Sequence, residues 1–323
     1  MMRAPRFKFP QMVLYIKDAL LTPYFMLKCG RKFDIYIGAD PLNALVGLLM
    51  QKIGWVKIVV FYTIDYIPRR FENPLLNKLY RWMDKYCVYN CTKTWNLSPV
   101  MAAERKKIGI AVEKNQITVP IGTETNVNTL PLEKINKHSI AFLGHLRAGS
   151  GIEFFIDSLP EIVEQVPDAE MVLIGTGPLE DEIKKKAKAY GLEGHIMFTG
   201  FVETQEEIQK IIARCAVGIA PYTDDEKTFT RYTDPGKPKA YLASGLPVVI
   251  TKVPQVAWEI EKERCGIAIN YDKKELVDAV VRLLNDEKLL KEYRENAIKF
   301  AGKYSWDKIF TAALESTLNY AQS

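Results

Sequence analysis

The stretch SIAFLGHLRAGSGIEFFIDSLPEIV, residues 139–163, decides the fold. A five-residue apolar run, Ser139 to Leu143, gives way to a glycine-rich segment, Gly144 to Gly151. Apolar residues then recur at helical spacing from Ile152 to Val166. Strand, tight loop and helix in that order form the opening unit of a doubly wound α/β domain. The same grammar continues downstream. Short β-branched runs at Ala169 to Ile174, Ile196 to Thr199, Val217 to Pro221, Val248 to Thr251 and Gly266 to Asn270 alternate with helical segments. Those segments are Leu179 to Tyr190, Gln205 to Cys215, Lys237 to Ala243, Val256 to Lys262 and Lys274 to Asn285. The alternation predicts an α/β domain with a parallel sheet covered by helices. Two further helices, Lys288 to Ala301 and Trp306 to Tyr320, close the chain.

Upstream the pattern is shorter. Strands are expected at Asp34 to Gly38, Val56 to Tyr62, Thr94 to Leu97 and Gln116 to Pro120, with helices near Gln11 to Cys29, Pro41 to Gln51, Pro74 to Cys87 and Pro99 to Ile108. The polar stretch Thr123 to Lys137 lacks apolar periodicity and suits a linker. The expected organisation is a first domain over 1–125, a linker over 126–137, a second domain over 138–302 and a terminal helix over 303–323.

A length of 323 residues with 48% hydrophobic content fits two folded domains. Lys17 and Asp18, then Gln51 and Lys52, interrupt the apolar stretches before they reach membrane-spanning length. The segment Met1 to Arg6 shows no secretory pattern, so a cytoplasmic location is expected. Five cysteines form no disulfide framework. Cys87 and Cys91, four apart, read as buried small hydrophobes, and with His138, His145 and His195 scattered no metal site is expected. Charge is unevenly placed. Residues 1–125 carry 19 Lys and Arg against 9 Asp and Glu, a net +10, and the remainder carries 25 against 30. A basic first domain suits an anionic lipid surface, a phosphate-bearing acceptor or nucleic acid, or is an ordinary solvated surface. The Lys-punctuated apolar stretch Phe7 to Leu27 points to the inner face of the cell membrane. The aromatics of the basic half, Trp82 and Tyr86, stand at helical spacing and read as core, which disfavours nucleic acid.

Ligands of doubly wound sheets bind beyond the carboxyl ends of strands, near helix N-termini. Three loops qualify. In Gly144 to Gly151 the glycines let amides approach an oxyanion and Arg147 adds donors; plain turn geometry is the alternative. Gly175-Thr176-Gly177-Pro178 precedes Glu180, Asp181 and Glu182, which complement the helix dipole, so a structural role and backbone contact to a ligand stand level. The third stretch, Thr223 to Pro247, is long for a strand-to-helix connection. It places Lys237 at a helix start, where a cation is misplaced unless an anion shares the site; solvent exposure is the alternative.

The succession Gly144-His145-Leu146, Leu173-Ile174-Gly175-Thr176-Gly177-Pro178, Phe198-Thr199-Gly200-Phe201-Val202 and Ala243-Ser244-Gly245-Leu246-Pro247-Val248-Val249 resembles retaining glycosyltransferases of family GT4. Tyr304-Ser305-Trp306 extends the likeness into a terminal helix that in such enzymes crosses back to the first domain. The resemblance implies the GT-B fold, two Rossmann-like domains facing a central cleft, with the first domain shortened here. It also implies transfer of a hexose or related sugar from a UDP- or GDP-linked donor to a glycan or lipid-linked acceptor, with retention and without a metal or other cofactor. Gly144, His145, Arg147, Ser150 and Gly151 would face the diphosphate, with Gly175, Thr176 and Gly177 beside them, and Gly200, Phe201 and Val202 would lie beside the base. Asp234, Gly236 and Tyr241 would hold ribose and sugar. Lys237 would act on the leaving group, Tyr62 and Asp65 would act at the acceptor, and Arg69 and Arg70 would lie nearby.

Several positions depart from the family pattern. His145 and Ser150 stand where the family has an arginine and a lysine on the diphosphate, with Arg147 and Lys237 as candidate substitutes. Tyr232 and Ala240 stand where it has paired glutamates. A module that binds nucleotide sugar or a partner without turnover is therefore the alternative, and an epimerase on the same scaffold is a weaker one.

Overall fold

The computed structural model describes residues 11–110, 115–125, 129–224 and 229–322. The chain divides into two compact units, one reaching Pro120 and resuming at Phe310, the other running from Ile121 to Ile309.

The first unit contains α1 (Gln11–Lys28), β1 (Phe33–Gly38), α2 (Pro41–Lys52), β2 (Val56–Thr63), α3 (Pro74–Asn90), β3 (Lys93–Asn96), α4 (Pro99–Lys107) and β4 (Gln116–Thr118). Its sheet is parallel in the order β1-β2-β3-β4. Each crossover steps the same way, so right-handed connections lay α2, α3 and α4 on one face. Alternation along the strands then sorts the side chains. Thr63 of β2 and Asn96 of β3 meet the α3–α4 side, whereas Trp95 turns to the other face. There its indole Nε1 donates to Thr317 Oγ1 at 3.0 Å, in the last helix of the chain. Pro starts α2, α3 and α4 at the first helical position, where a missing N–H costs nothing.

A fully buried guanidinium holds this unit together. Arg105 of α4 donates to both carboxylate oxygens of Asp84 in α3, at 2.8 and 2.6 Å, to Thr63 Oγ1 at 2.9 Å and to Asn96 Oδ1. Its Cζ lies 4.6 Å from the Tyr66 ring centroid. Two helices and the carboxyl ends of two strands thus share one charged knot.

The second unit runs β5 (Ser139–Leu143), α5 (Ile152–Gln165), β6 (Glu170–Ile174), α6 (Glu180–Ala189), β7 (Ile196–Gly200), α7 (Gln205–Ile212), β8 (Val217–Ala220), α8 (Gly236–Ala243), β9 (Val248–Thr251), α9 (Val256–Lys262), β10 (Gly266–Ile269), α10 (Lys273–Asn285) and α11 (Glu287–Ala301). The sequence places every one of these strands and misjudges their ends by a residue or so. β8 stops before Pro221 and β4 well before Pro120, because proline cannot donate to a ladder. The six strands are parallel, in the order β10-β9-β8-β5-β6-β7. The order reverses between β5 and β8, and that crevice is where such sheets take ligands. Within the expected linker, Leu132 and Ile135 are buried in the core of this unit around a short 3₁₀ turn, Leu132–Lys134. Residues 126–128 of that stretch lie outside the described residues. The final helix, α12 (Trp306–Gln322), begins in the second unit and belongs from Phe310 to the first.

Replacing Asp84 with Ala strands the Arg105 charge and should cost about 3–5 kcal/mol of stability. The double replacement Asp84→Leu with Arg105→Met should recover most of that loss, as read by denaturant unfolding.

Candidate functional site

The loop after β5 forms the floor of the β5–β8 crevice. Leu143 N, at the end of the strand, donates to the hydroxyl of Tyr241 at 2.5 Å, which fixes where the loop departs. The next turns are stitched to the neighbouring loop by main-chain bonds: Gly144 N to Ile174 O at 2.9 Å, Leu146 N to Thr176 O at 3.0 Å and Leu179 N to Leu146 O at 3.0 Å. Gly175 N reaches Gly200 O at 3.0 Å, so the loops after β5, β6 and β7 form one continuous backbone surface. His145, exposed on this surface, donates from Nδ1 to Thr176 O at 2.8 Å.

The loop ends at Gly151, the N-cap of α5, with φ +80°. A Cβ there would overlap the carbonyl of Pro221 at the end of β8. Glycine alone lets the two strand ends close up and the helix start between them. It also leaves the first amides of α5 without a capping side chain, a site of partial positive charge. The buried hydroxyl of Ser150 adjoins this helix start and has no hydrogen-bond partner among the described residues.

Lys237 enters from the first turn of α8. Its ammonium fills the space that the missing Cβ of Gly144 leaves, and it lies 5.6 Å from the Phe142 ring centroid. Among the described residues it enters no ion pair. Burial, with the Arg147 charge adding to it, lowers its pKa to about 8. The structure therefore brings Gly144, Arg147, Ser150, Gly151 and Lys237 together with the helix terminus, all presenting positive potential or hydrogen-bond donors and no carboxylate among them.

Other expected residues fall elsewhere. Asp234 is buried, its carboxylate bonded to the ammonium of Lys239 and accepting from Ile121 N at 2.8 Å. That carboxylate is committed inside the unit and does not face a ligand. Tyr241 lies wholly in the core beneath Gly218, so it positions the β5 loop and cannot touch ribose or sugar. Gly236 packs near Ile121. Phe201 is 74% exposed. With Val202 it lines the mouth of a groove of about 860 Å³ that runs along β7 and α7 past Met197, Lys210 and Arg214. This is a large cavity, yet it lies between α7 and the β5–β6–β7 part of the sheet and meets only these two of the expected donor residues. The convergent charges at Gly144 are the stronger indication of chemistry.

In the first unit Tyr62 is buried, and its hydroxyl donates to Val119 O at 3.2 Å. Asp65 is exposed just past β2, where its carbonyl accepts from Arg70 Nη1 at 2.7 Å. Arg69 is exposed beside it.

Lys239 escaped the sequence reading. It is fully buried, donates to Ile121 O at 2.8 Å, and stands 3.9 Å from the ring centroid of Tyr304. Its spacing of five residues from Asp234 is no recognised pairing signal, and only the fold brings the two together.

Open α/β sheets take nucleotides or phosphates at the switch point beside helix N-termini, and the groups gathered around Gly144 lie at that place in this sheet. Residues 137–286 match the family described as glycosyl transferases group 1, and the second unit carries a domain of that family. Among curated relatives, alpha-D-kanosaminyltransferase of Streptomyces kanamyceticus is 29% identical over 169 residues, covering 51% of this chain and 42% of its own. Phosphatidyl-myo-inositol mannosyltransferase of Mycobacterium leprae is 24% identical over 173 residues, covering 53% and 44%. The chain spans about half the length of the curated relatives it matches. Among solved structures, Anabaena HepE in complex with UDP superposes with a TM-score of 0.73 at 16% identity, over 88% of this chain and 79% of that one. Sucrose-phosphate synthase of Thermosynechococcus elongatus gives 0.71 at 16%, over 99% and 82%. The fold class is GT-B, with parallel sheets of four and six strands.

Gly151→Ala and Gly149→Ala separate backbone strain from close contact. Both glycines have a positive φ, but a Cβ at Gly149 meets only Thr223 Oγ1 at 3.8 Å. Gly149→Ala should cost about 1–2 kcal/mol from left-handed backbone alone. Gly151→Ala should lower the melting temperature distinctly further.

Proposed function

We propose that this chain transfers a sugar from a UDP- or GDP-linked donor to a glycan or lipid-linked acceptor with retained anomeric configuration, using no metal. The observation that carries the reading is Lys237, a half-buried ammonium with no carboxylate partner among the described residues, lodged against Gly144 beside Arg147. A donor diphosphate supplies the counter-charge this arrangement lacks. In the transfer step the bond from the anomeric carbon to the diphosphate oxygen breaks and the acceptor oxygen bonds to that carbon. Negative charge grows on the leaving diphosphate, where Lys237, Arg147, the Ser150 hydroxyl and the first amides of α5 stabilise it. Gly175, Thr176, Gly177, Gly200 and the backbone near Phe201 and Val202 form the rest of the donor surface. On the acceptor side the exposed Asp65 takes the acceptor proton, with Arg69 and Arg70 beside it.

A second reading has a specific observation behind it. Ala240 is buried in α8 where the resembling family has a glutamate, and Asp234 cannot stand in for it because its carboxylate is bound to Lys239. A module that binds the nucleotide sugar without turnover follows from those two facts. Binding together with turnover on a panel of nucleotide sugars supports the transferase, and binding alone supports the module.

Thermal unfolding with UDP, GDP and their sugars tests both readings. A ligand at one hundred times its dissociation constant should add about 2.7 kcal/mol of stability. Lys237→Met should leave the ligand-free protein at least as stable, because it removes a half-buried charge that has no ion pair among the described residues. It should weaken nucleotide affinity by about 10- to 100-fold, the worth of one charged hydrogen bond. No stabilisation by any nucleotide would remove the proposal.

The pH dependence has a definite sign. Lys237 is charged below about 8 and loses its proton as pH rises through that value. Affinity for UDP should therefore fall on the alkaline side of about 8, and calorimetry on Lys237→Met should show no such limb.

A further inference from the structure

Helix α3 turns two different faces outward and inward. Its inner side buries Asn77, Tyr80, Asp84, Cys87 and Val88. On the opposite side Leu75, Leu79, Trp82, Tyr86 and Tyr89 recur at alternating spacings of four and three residues; Tyr86, half-buried, packs against the core as the sequence reading expects, and the other four are exposed. Leu75 is 76% exposed, Leu79 50%, Trp82 57% and Tyr89 48%. The sequence reading of Trp82 as core is thus corrected: its ring lies on the surface, stacked on Tyr86 at 5.7 Å between centroids.

The charges along this helix are one-sided. Lys78, Arg81 and Lys85 are all exposed along one edge of the stripe. Asp84, the only carboxylate in α3, is held inside by Arg105. The outward surface of α3 therefore carries three cations and no anion. At its N-terminal end a recess of about 530 Å³ is lined by Arg69, Lys78 and Arg81 with Glu72 as the single carboxylate. Among the described residues those three cations enter no ion pair. The neighbouring helix α2 adds exposed Leu49 and the cation Lys52, followed by exposed Ile53 at its C-cap.

We infer that the outward face of α3 is a docking surface for an anionic lipid bilayer. Leu75, Leu79 and Trp82 enter the interface, and Lys78, Arg81, Lys85 and Arg69 meet the lipid phosphates. An apolar stripe with Trp and Tyr, bordered by cations on a helix lying along the surface, is the arrangement that binds at the headgroup boundary. The lysine and arginine stems extend the apolar contact while their charges reach the phosphates. This surface is distinct from the Phe7 to Leu27 stretch that sequence alone singled out, and the inference stands independently of the donor reading.

Flotation of the full chain with vesicles of phosphatidylcholine alone, or of phosphatidylcholine and phosphatidylglycerol in about equal parts, tests it. Binding to the mixed vesicles only, weakening as salt rises, is expected. Each cation near such a surface contributes about fivefold in affinity. Lys78→Glu with Arg81→Glu and Lys85→Glu should therefore reduce binding by well over tenfold. Leu79→Ser with Trp82→Ser should reduce it comparably and abolish the vesicle-induced blue shift of tryptophan emission. All five are surface positions, so both variants should keep the unfolding midpoint of the parent. Three results would overturn the inference: no flotation with the anionic vesicles, equal flotation of parent and variants, or self-association that disappears in the Trp82 variant, which would give the face to a second copy.

Discussion

The second unit is arranged around one unfavourable placement, a half-buried ammonium group with no carboxylate paired to it among the described residues. Burying a charge without a partner is among the more expensive things a protein can do. Here the neighbours add to the expense. Arg147 and the uncapped start of α5 contribute potential of the same sign around Lys237 and Gly144. An arrangement with this cost is retained where an incoming anion reverses its sign, and its donors then need no rearrangement when charge develops on a leaving group. The fall of the Lys237 pKa is the electrostatic trace of the same placement.

The rest of the unit keeps that group in place. Tyr241 spends its hydroxyl on the end of β5, and three loops are sewn together through their own amides. Asp234 and Lys239 form a buried pair that holds both main-chain polar atoms of Ile121, its N–H and its carbonyl, and Tyr304 covers the lysine while donating to Glu259 at 2.6 Å. Burial works against both members, raising the Asp234 carboxyl and lowering the Lys239 ammonium. Together these contacts hold the start of α8, and therefore Lys237, in a fixed position relative to the glycine loop.

Most of the fold was legible because each strand of a parallel sheet is buried on both faces and so reads as an apolar run. The strand ends were less certain, since a proline at position 221 looks apolar yet cannot pair. Lys237 was legible from an electrostatic conflict at a helix start. Asp234 was not, because its role depends on a lysine that only the folded α8 brings to it. Trp82 was misread for a related reason. Helical spacing reveals a stripe but not which way it faces, and the inner side of α3 carries polar residues of its own, Asn77 and Asp84, the latter satisfied by Arg105 from α4. The polar segment after Pro120 concealed Leu132 and Ile135, two anchors spaced too sparsely to show a period.

Thr123 donates its amide to Tyr304 O at 2.8 Å and pairs in parallel with Ser305. The strand of chain that enters the second unit and the strand that leaves it are therefore zipped side by side. A body whose entry and exit coincide can be inserted into another chain, or rejoined end to end and opened at a different surface loop, without stretching its interior. Such a body is built as a cassette, and its architecture tolerates exchange of whatever is attached at that single seam.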